Sequence, residues 1–174
     1  MTYNVTYFDG IDLSALSFST TLFGANVGGE VIYREGIDVL VDVDGGLLGP
    51  VPTPTRADVG QVLLSGLYLF APRFFWDQLV IVAEAAYLTV RTVEEACGPT
   101  SCSTELSNDR EAYAFQMLAI ADRRNIFSGW DLQIPVNFGW GIKGTSSQPG
   151  GMGALTGEGD LRFGVGANFV RLSQ

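Results

Sequence analysis

The stretch Trp130–Lys143 reads W-D-L-Q-I-P-V-N-F-G-W-G-I-K. Trp130, Leu132, Ile134, Val136, Phe138, Trp140 and Ile142 are apolar, whereas Asp131, Gln133, Pro135, Asn137, Gly139, Gly141 and Lys143 are polar, small or proline. Successive side chains of a β-strand point to opposite faces, so this segment carries one greasy face and one wet face along its whole length. Strands of soluble proteins usually run about 3–10 residues. A strand crossing a bilayer at a tilt needs about 9–11. Aromatic residues near both ends and a polar second face fit the crossing strand.

The alternation recurs along the chain. Leu13–Leu22 sets Leu16, Phe18 and Leu22 against Ser17, Ser19 and Thr21; Ala25–Arg34 sets Val27, Val31 and Tyr33 against Asn26, Glu30 and Arg34. Joined by Phe23-Gly24, the two predict a hairpin. Gly60–Phe70 reads as a strand apolar on both faces. Asp77–Arg91 sets Leu79, Ile81, Ala83, Ala85 and Tyr87 against Gln78 and Glu84. Asp109–Asp122 sets Tyr113, Phe115, Met117 and Ala119 against Arg110, Gln116 and small residues. Leu161–Arg171 sets Leu161, Phe163, Val165, Ala167 and Phe169 against Arg162, Gly164, Gly166 and Asn168. A further short strand is expected over Tyr3–Phe8. No comparable segment favours the helical period, so helix content should be low.

The connections alternate in length: short at Phe23-Gly24, long at Glu35–Val59, short at Ala71–Trp76, long at Thr92–Asn108, short at Arg123–Gly129, long at Gly144–Asp160. Outer-membrane barrels combine short periplasmic turns with long outer loops. The expectation is therefore all-β: an antiparallel up-and-down transmembrane β-barrel with about 7–8 strands in this single domain. Phe74, Phe75, Trp76, Phe127 and Trp130 then fall near the inner aromatic girdle, and Trp140 toward the outer end.

Composition narrows the function classes. The net charge is −9, which argues against nucleic-acid binding, since that needs a basic footprint. There is no histidine, so histidine-based triads and histidine metal sites are excluded. Mean hydropathy is +0.22, yet no run of apolar residues is long enough for a spanning helix. The N-terminal residues lack the basic start and apolar core of a signal peptide. An outer-membrane protein needs such a signal, so the sequence is expected to be trimmed or one piece of a longer chain.

Cys97 and Cys102 flank the turn C-G-P-T-S-C. Two thiols without further Cys or His cannot complete a structural zinc site. The short spacing suits a local disulfide in an oxidising compartment; free structural thiols are the alternative. Asp38, Asp42 and Asp44 offer oxygen ligands, but the spacing lacks the remaining ligands of a calcium loop and reads as a solvated acidic strand extension. Glu158 and Asp160 read the same way. Gly150-Gly151-Met152-Gly153 lacks the Lys-Ser/Thr of a phosphate cradle and reads as an outer loop. No nucleophile, base and orienting group can be assembled, so neither an enzyme nor a cofactor is expected.

Several motifs carry a resemblance: Y-F-D-G-I-D-L-S-A-L-S-F-S-T, G-G-E-V-I-Y-R, P-T-P-T-R-A-D, N-D-R-E-A-Y-A-F-Q, F-S-G-W-D-L-Q-I-P-V-N-F-G-W-G-I-K-G and L-T-G-E-G-D-L-R-F-G-V-G-A-N-F. In this order, and over nearly the whole chain, they resemble the domain-of-unknown-function 1302 family of proteobacterial outer-membrane β-barrel proteins. Members are several times longer, and the chain is similar to their C-terminal part without the last strands. The resemblance implies location in the bacterial outer membrane, part of a larger barrel, and a porin-like role or the movement of hydrophobic compounds with periplasmic partner proteins. It supplies no catalytic residues.

On this reading outer-membrane lipids are the partners of the apolar face. The other face should line a lumen with Glu30, Arg34, Gln78, Glu84, Arg110, Gln116, Asp131, Gln133, Asn137, Lys143, Arg162 and Asn168, which would set a path for small or hydrophobic solutes or simply fill a wet interior. Pro135 removes a ladder donor within the best strand and should mark a bulge or an edge. The alternatives are a closed eight-stranded barrel with a structural or surface-interaction role, and a soluble lipid-binding β-barrel with the Trp130–Ile142 face turned inside.

Overall fold

Phe23 and Gly24 both have positive φ, 49° and 81°, the backbone of a two-residue hairpin turn whose twist matches the strands it joins. In the computed structural model, which describes residues 8–152 and 157–171, this turn links β1 (Asp12–Leu22) to β2 (Ala25–Asp44). Then come β3 (Pro50–Phe70), β4 (Gln78–Val93), the small hairpin β5 (Ala96–Cys97) and β6 (Cys102–Ser103), β7 (Glu111–Phe127), β8 (Trp130–Lys143), β9 (Leu161–Val165) and β10 (Asn168–Arg171). Among the described residues the only helical element is the 3-10 turn Gly46–Leu48. The short strand expected over Tyr3–Phe8 lies outside the described residues except for Phe8, which is not in a strand.

The main sheet is a meander in the order β1-β2-β3-β4-β7-β8, with β9 and β10 both along the far edge of β8. Every ladder in it is antiparallel. The fold is thus all-β, antiparallel and up-and-down. These strands do not close into a barrel: β1 holds one edge and β9–β10 the other, with no ladder between them among the described residues.

Two boundaries differ from expectation for physical reasons. Glu35–Val59 is not a long loop. β2 runs on to Asp44, β3 starts at Pro50, and their ladder continues to Asp44↔Pro50. The expected strand Leu161–Arg171 is split at Gly166-Ala167, although Val165↔Val136 and Asn168↔Gln133 keep one register across the break. The cause lies in the neighbouring strand. Pro135 accepts from Gly166 N at 2.9 Å, so its own nitrogen faces the same side. That nitrogen carries no hydrogen, and Gly166 receives only half of the usual reciprocal pair.

Residues opposite each other in a ladder share a face. Below a certain level the apolar sets of all strands fall on one face: Leu16↔Val31, Val31↔Val62, Val62↔Tyr87, Tyr87↔Tyr113, Met117↔Phe138 and Phe138↔Phe163. At that level three ladders slip by a residue, between Arg34 and Ile37 in β2, between Val90 and Val93 in β4, and between Gly141 and Lys143 in β8. Gly36, at φ 74°, supplies the left-handed backbone of the first of these bulges. Beyond it the odd-numbered residues of β2 change sides. Val39, Val41 and Val43 are fully buried, or nearly so, on the face opposite to that of Val27 and Val31. With Ala57, Val59, Leu88 and Val90 they form the core of the molecule, covered by Leu106 and Met152 from the long connections and by Ala96 of β5.

Candidate functional site

The meander gathers most of the expected lining onto one face. Each of these residues sits at the period-two position opposite a strand's apolar set. Glu84 pairs with Gln116, whose Nε2 donates to Glu84 Oε1 at 3.1 Å. Asn137 stands opposite Leu118 and Gly164. Gln133 donates to Asp122 Oδ1 at 3.0 Å and accepts from Asn168 Nδ2 at 3.4 Å. Arg34 donates to Gln61 Oε1 at 2.8 Å. Arg162 lies opposite Gly139, its guanidinium held by Asp160 at 2.8 Å. Glu30 pairs with Ser17 and Leu63 on the same face. Between β4 and β9 these side chains frame an open depression of about 480 Å³, lined by Val82, Glu84, Gln116, Leu118, Asn137 and Arg162 among others. The face interleaves neutral and mixed-sign hydrogen-bonding groups with Leu63, Leu67, Val80, Val82, Leu118 and Ile120 of the same ladders, and it offers polar contact without one dominant charge.

Asp131 keeps the polar face, two residues from Gln133 and opposite Val170, and its Oδ1 also accepts from Asn125 N in the β7–β8 turn at 2.8 Å. Two of the expected lining residues have other positions. Arg110 precedes β7, and its guanidinium donates to the carbonyls of Val90 and Arg91 at 3.0 and 3.1 Å. Lys143 stands opposite Tyr113 beyond the β8 bulge, at the rim of the apolar face. The bulge moves it there, and a strict period of two places it wrongly. Gln61, Ser65 and Asp122 belong to the polar ladder and escape the sequence reading. Gln61 and Ser65 lie in β3, whose leucines on both faces hide its alternation. Asp122 looks like the end of its segment, but β7 continues to Phe127.

The opposite face is apolar and bare. Leu16, Phe18, Val31, Leu64, Trp140, Leu161, Phe163 and Phe169 are between 42% and 77% exposed. Phe23, Phe74, Phe75 and Phe127 stand out at the short-turn end. Tyr33, Tyr87, Tyr113 and Trp140 mark the other margin, where Tyr87 and Tyr113 stack at 4.7 Å. No helix among the described residues is long and apolar enough to cross a membrane.

The remaining motifs have structural places. Cys97 and Cys102 are disulfide-bonded across the β5–β6 hairpin. Glu95 lies beside them, but oxidised sulfurs offer no thiolate to a metal. Asp38, Asp42 and Asp44 follow the β2 bulge on the side away from the core. Asp42 accepts from Ser107 Oγ at 2.6 Å, and Asp44 accepts from Gly46 N at 2.8 Å. Glu158 accepts from Gly144 N at 2.8 Å and so pins the last long connection to the end of β8.

No curated protein and no solved structure matches the chain. One family model does match, over residues 1–174, and its description is Protein of unknown function (DUF1302). With the whole sequence covered by that match, the chain belongs to the DUF1302 family.

Proposed function

We propose that this chain forms part of an outer-membrane β-barrel whose polar face lines a passive path for small or hydrophobic solutes. The observation that carries the proposal is the change of sides at the row of bulges. Below it one face is apolar throughout, and the opposite face carries the hydrogen-bonding residues among its apolar ones. Above it the valines of β2 turn inward to a packed core, and Asp38, Asp42 and Asp44 take the outer side. A single solvent does not favour both arrangements. Lipid below the bulges and water above them favours each in turn.

Dimensions support the same reading. Trp130 and Trp140 are ten positions apart, about 33 Å along the strand at ~3.3 Å per residue. At a tilt of about 40° this spans the roughly 25 Å apolar band of a membrane barrel. β2 and β3, at 20 and 21 residues, are twice that length, so their far halves rise clear of the bilayer. The bare apolar face runs across the sheet from Leu16 in β1 to Phe163 in β9, and contiguous exposed apolar patches are rare on soluble monomers. A soluble lipid-binding barrel would enclose the Trp130–Ile142 face, but here Trp140 and Ile142 are each 42% exposed.

Open sheet edges are not tolerated in hydrocarbon. The proposal therefore requires further strands pairing with β1 and with β9–β10, which makes this sheet one sector of a larger barrel. No chemical step is involved, and solutes move by diffusion along the lining. Conductance in planar bilayers, using the complete barrel that contains this sheet refolded in detergent, tests the reading. Discrete openings are expected. A protein that is monodisperse in plain buffer and silent in bilayers contradicts it.

A further inference from the structure

Residues on the face of a sheet become buried only when something lies over that face. At the level of the bulges the inward positions of three adjacent strands are dry: Val59 and Leu88 are 0% exposed, Val90 1%, Ala112 2% and Ala114 5%. A few residues down the same strands, Glu84 is half-buried and Gln116 exposed. The cover at the dry level comes from the two long connections, through segments 105–109 and 145–152.

Both segments are fastened to the free edge of β2. Asp42 N donates to Glu105 O at 2.8 Å, Ser107 N to Leu40 O at 2.9 Å, and Leu40 N to Ser147 O at 3.0 Å. They are also fastened to each other, Asn108 N donating to Ser147 Oγ at 3.0 Å. Crossing the face, they press Leu106 and Met152 onto the valine core. Gln61 Nε2 reaches Gly151 O at 3.4 Å. The backbone at Gly151 runs so close to Leu88 that a Cβ would meet its Cδ1 at 2.7 Å. Ser147 is fully buried. Next to this cover Gly157 lies against β8 at Gly141, where a Cβ would collide with the Gly157 carbonyl. Glycine is the residue that permits such an approach between backbones.

We propose that segments 105–109 and 145–152 form a fixed constriction at the outer mouth of the polar path, so that the size limit for solutes is set there and not at the open lining around Glu84 and Gln116. This inference rests on the barrel reading above. The constriction is a packed, hydrogen-bonded part of the fold rather than a swinging lid, because its contacts are those of a protein interior.

The test uses Glu84→Cys as a reporter in the full protein, expressed in the outer membrane of intact cells. Cys97 and Cys102 are already bonded to each other and do not compete. A small charged maleimide and a polymer-linked one are added outside. The small reagent should label position 84, and the large one should be slower on the order of tenfold or more, as expected for a steric constriction. Deleting residues 146–152 should abolish that difference. If the deleted chain loses its heat-modifiable band, Met152→Asp replaces the deletion, with the same expected loss of discrimination. Equal labelling by both reagents before any change overturns the constriction, and so does a size difference that persists in the loosened variants. Labelling of Met117→Cys, on the opposite face, by these aqueous reagents shows that the barrel reading itself has failed, and overturns this inference with it.

Discussion

Gln116 and Met117 are consecutive in β7 and lie on opposite faces of the sheet, one beside Glu84 and the other between Ala83 and Phe138. The account assigns water to the first and lipid to the second. Met117→Lys should then cost about 2–4 kcal/mol of folding free energy in liposomes, the range for a cation on the lipid face of a barrel. Gln116→Lys, beside a carboxylate, should stay within about 0.5 kcal/mol. Denaturant titration of both variants in vesicles reads the contrast, and equal costs would remove the distinction between the faces. Pro135 gives a second prediction at this scale. Pro135→Ala restores an N–H aimed at the Gly166 carbonyl and should join β9 to β10. The expected gain is about 1 kcal/mol, the net worth of one hydrogen bond, with slower amide exchange across residues 165–168. Unchanged exchange there would mean that the break has another cause.

Elements were legible in the sequence where a strand keeps one register from end to end. Trp130–Lys143 is the clearest case: its alternation holds as far as Gly141, and its observed limits are the expected ones. The upper half of β2 was not legible. Val39, Val41 and Val43 continue the odd-numbered apolar series of Val27 and Val31, but a bulge beside Gly36 turns them to the other face, and no local pattern announces which side a valine takes. The split between β9 and β10 was hidden because its cause is a proline in the adjacent strand. The shared face of the polar side chains was largely readable because it depends on period two alone. Arg110 and Lys143 were misplaced because each lies at a strand end, where the period stops. Pro50, Pro52 and Pro54 fit the ladder in retrospect. Leu40 turns its N–H and carbonyl away from β3, so its partner Pro54 also faces away from β2. The three alternating prolines thus withhold donors from the free edge of β3 and blunt it against unwanted pairing. At this scale Gly36→Val should cost about 1–3 kcal/mol through its positive φ and should raise protease cleavage within residues 37–57. Cleavage equal to that of the parent chain would show that the bulge is not what holds the β2–β3 arm.

At the scale of the molecule, one sheet carries two opposite arrangements of hydrophobicity. The packed end has buried valines under hydrogen-bonded connections. The other end presents rows of Leu, Phe and Val outward and a polar ladder inward. Its two edges, unpaired among the described residues, call for pairing partners. Refolded alone without lipid or detergent, the chain should elute as oligomers in size exclusion, and a stable monomer in plain buffer would count against the account. The most direct test of the central claim is a scan of single nitroxide labels through Trp130–Lys143 in reconstituted bilayers, reading accessibility to oxygen and to a water-soluble nickel chelate. The account predicts a period of two from 130 to 140, with even positions reached from lipid and odd positions from water, ending at the bulge beyond Gly141. Accessibility to the chelate at both even and odd positions, without alternation, would contradict it.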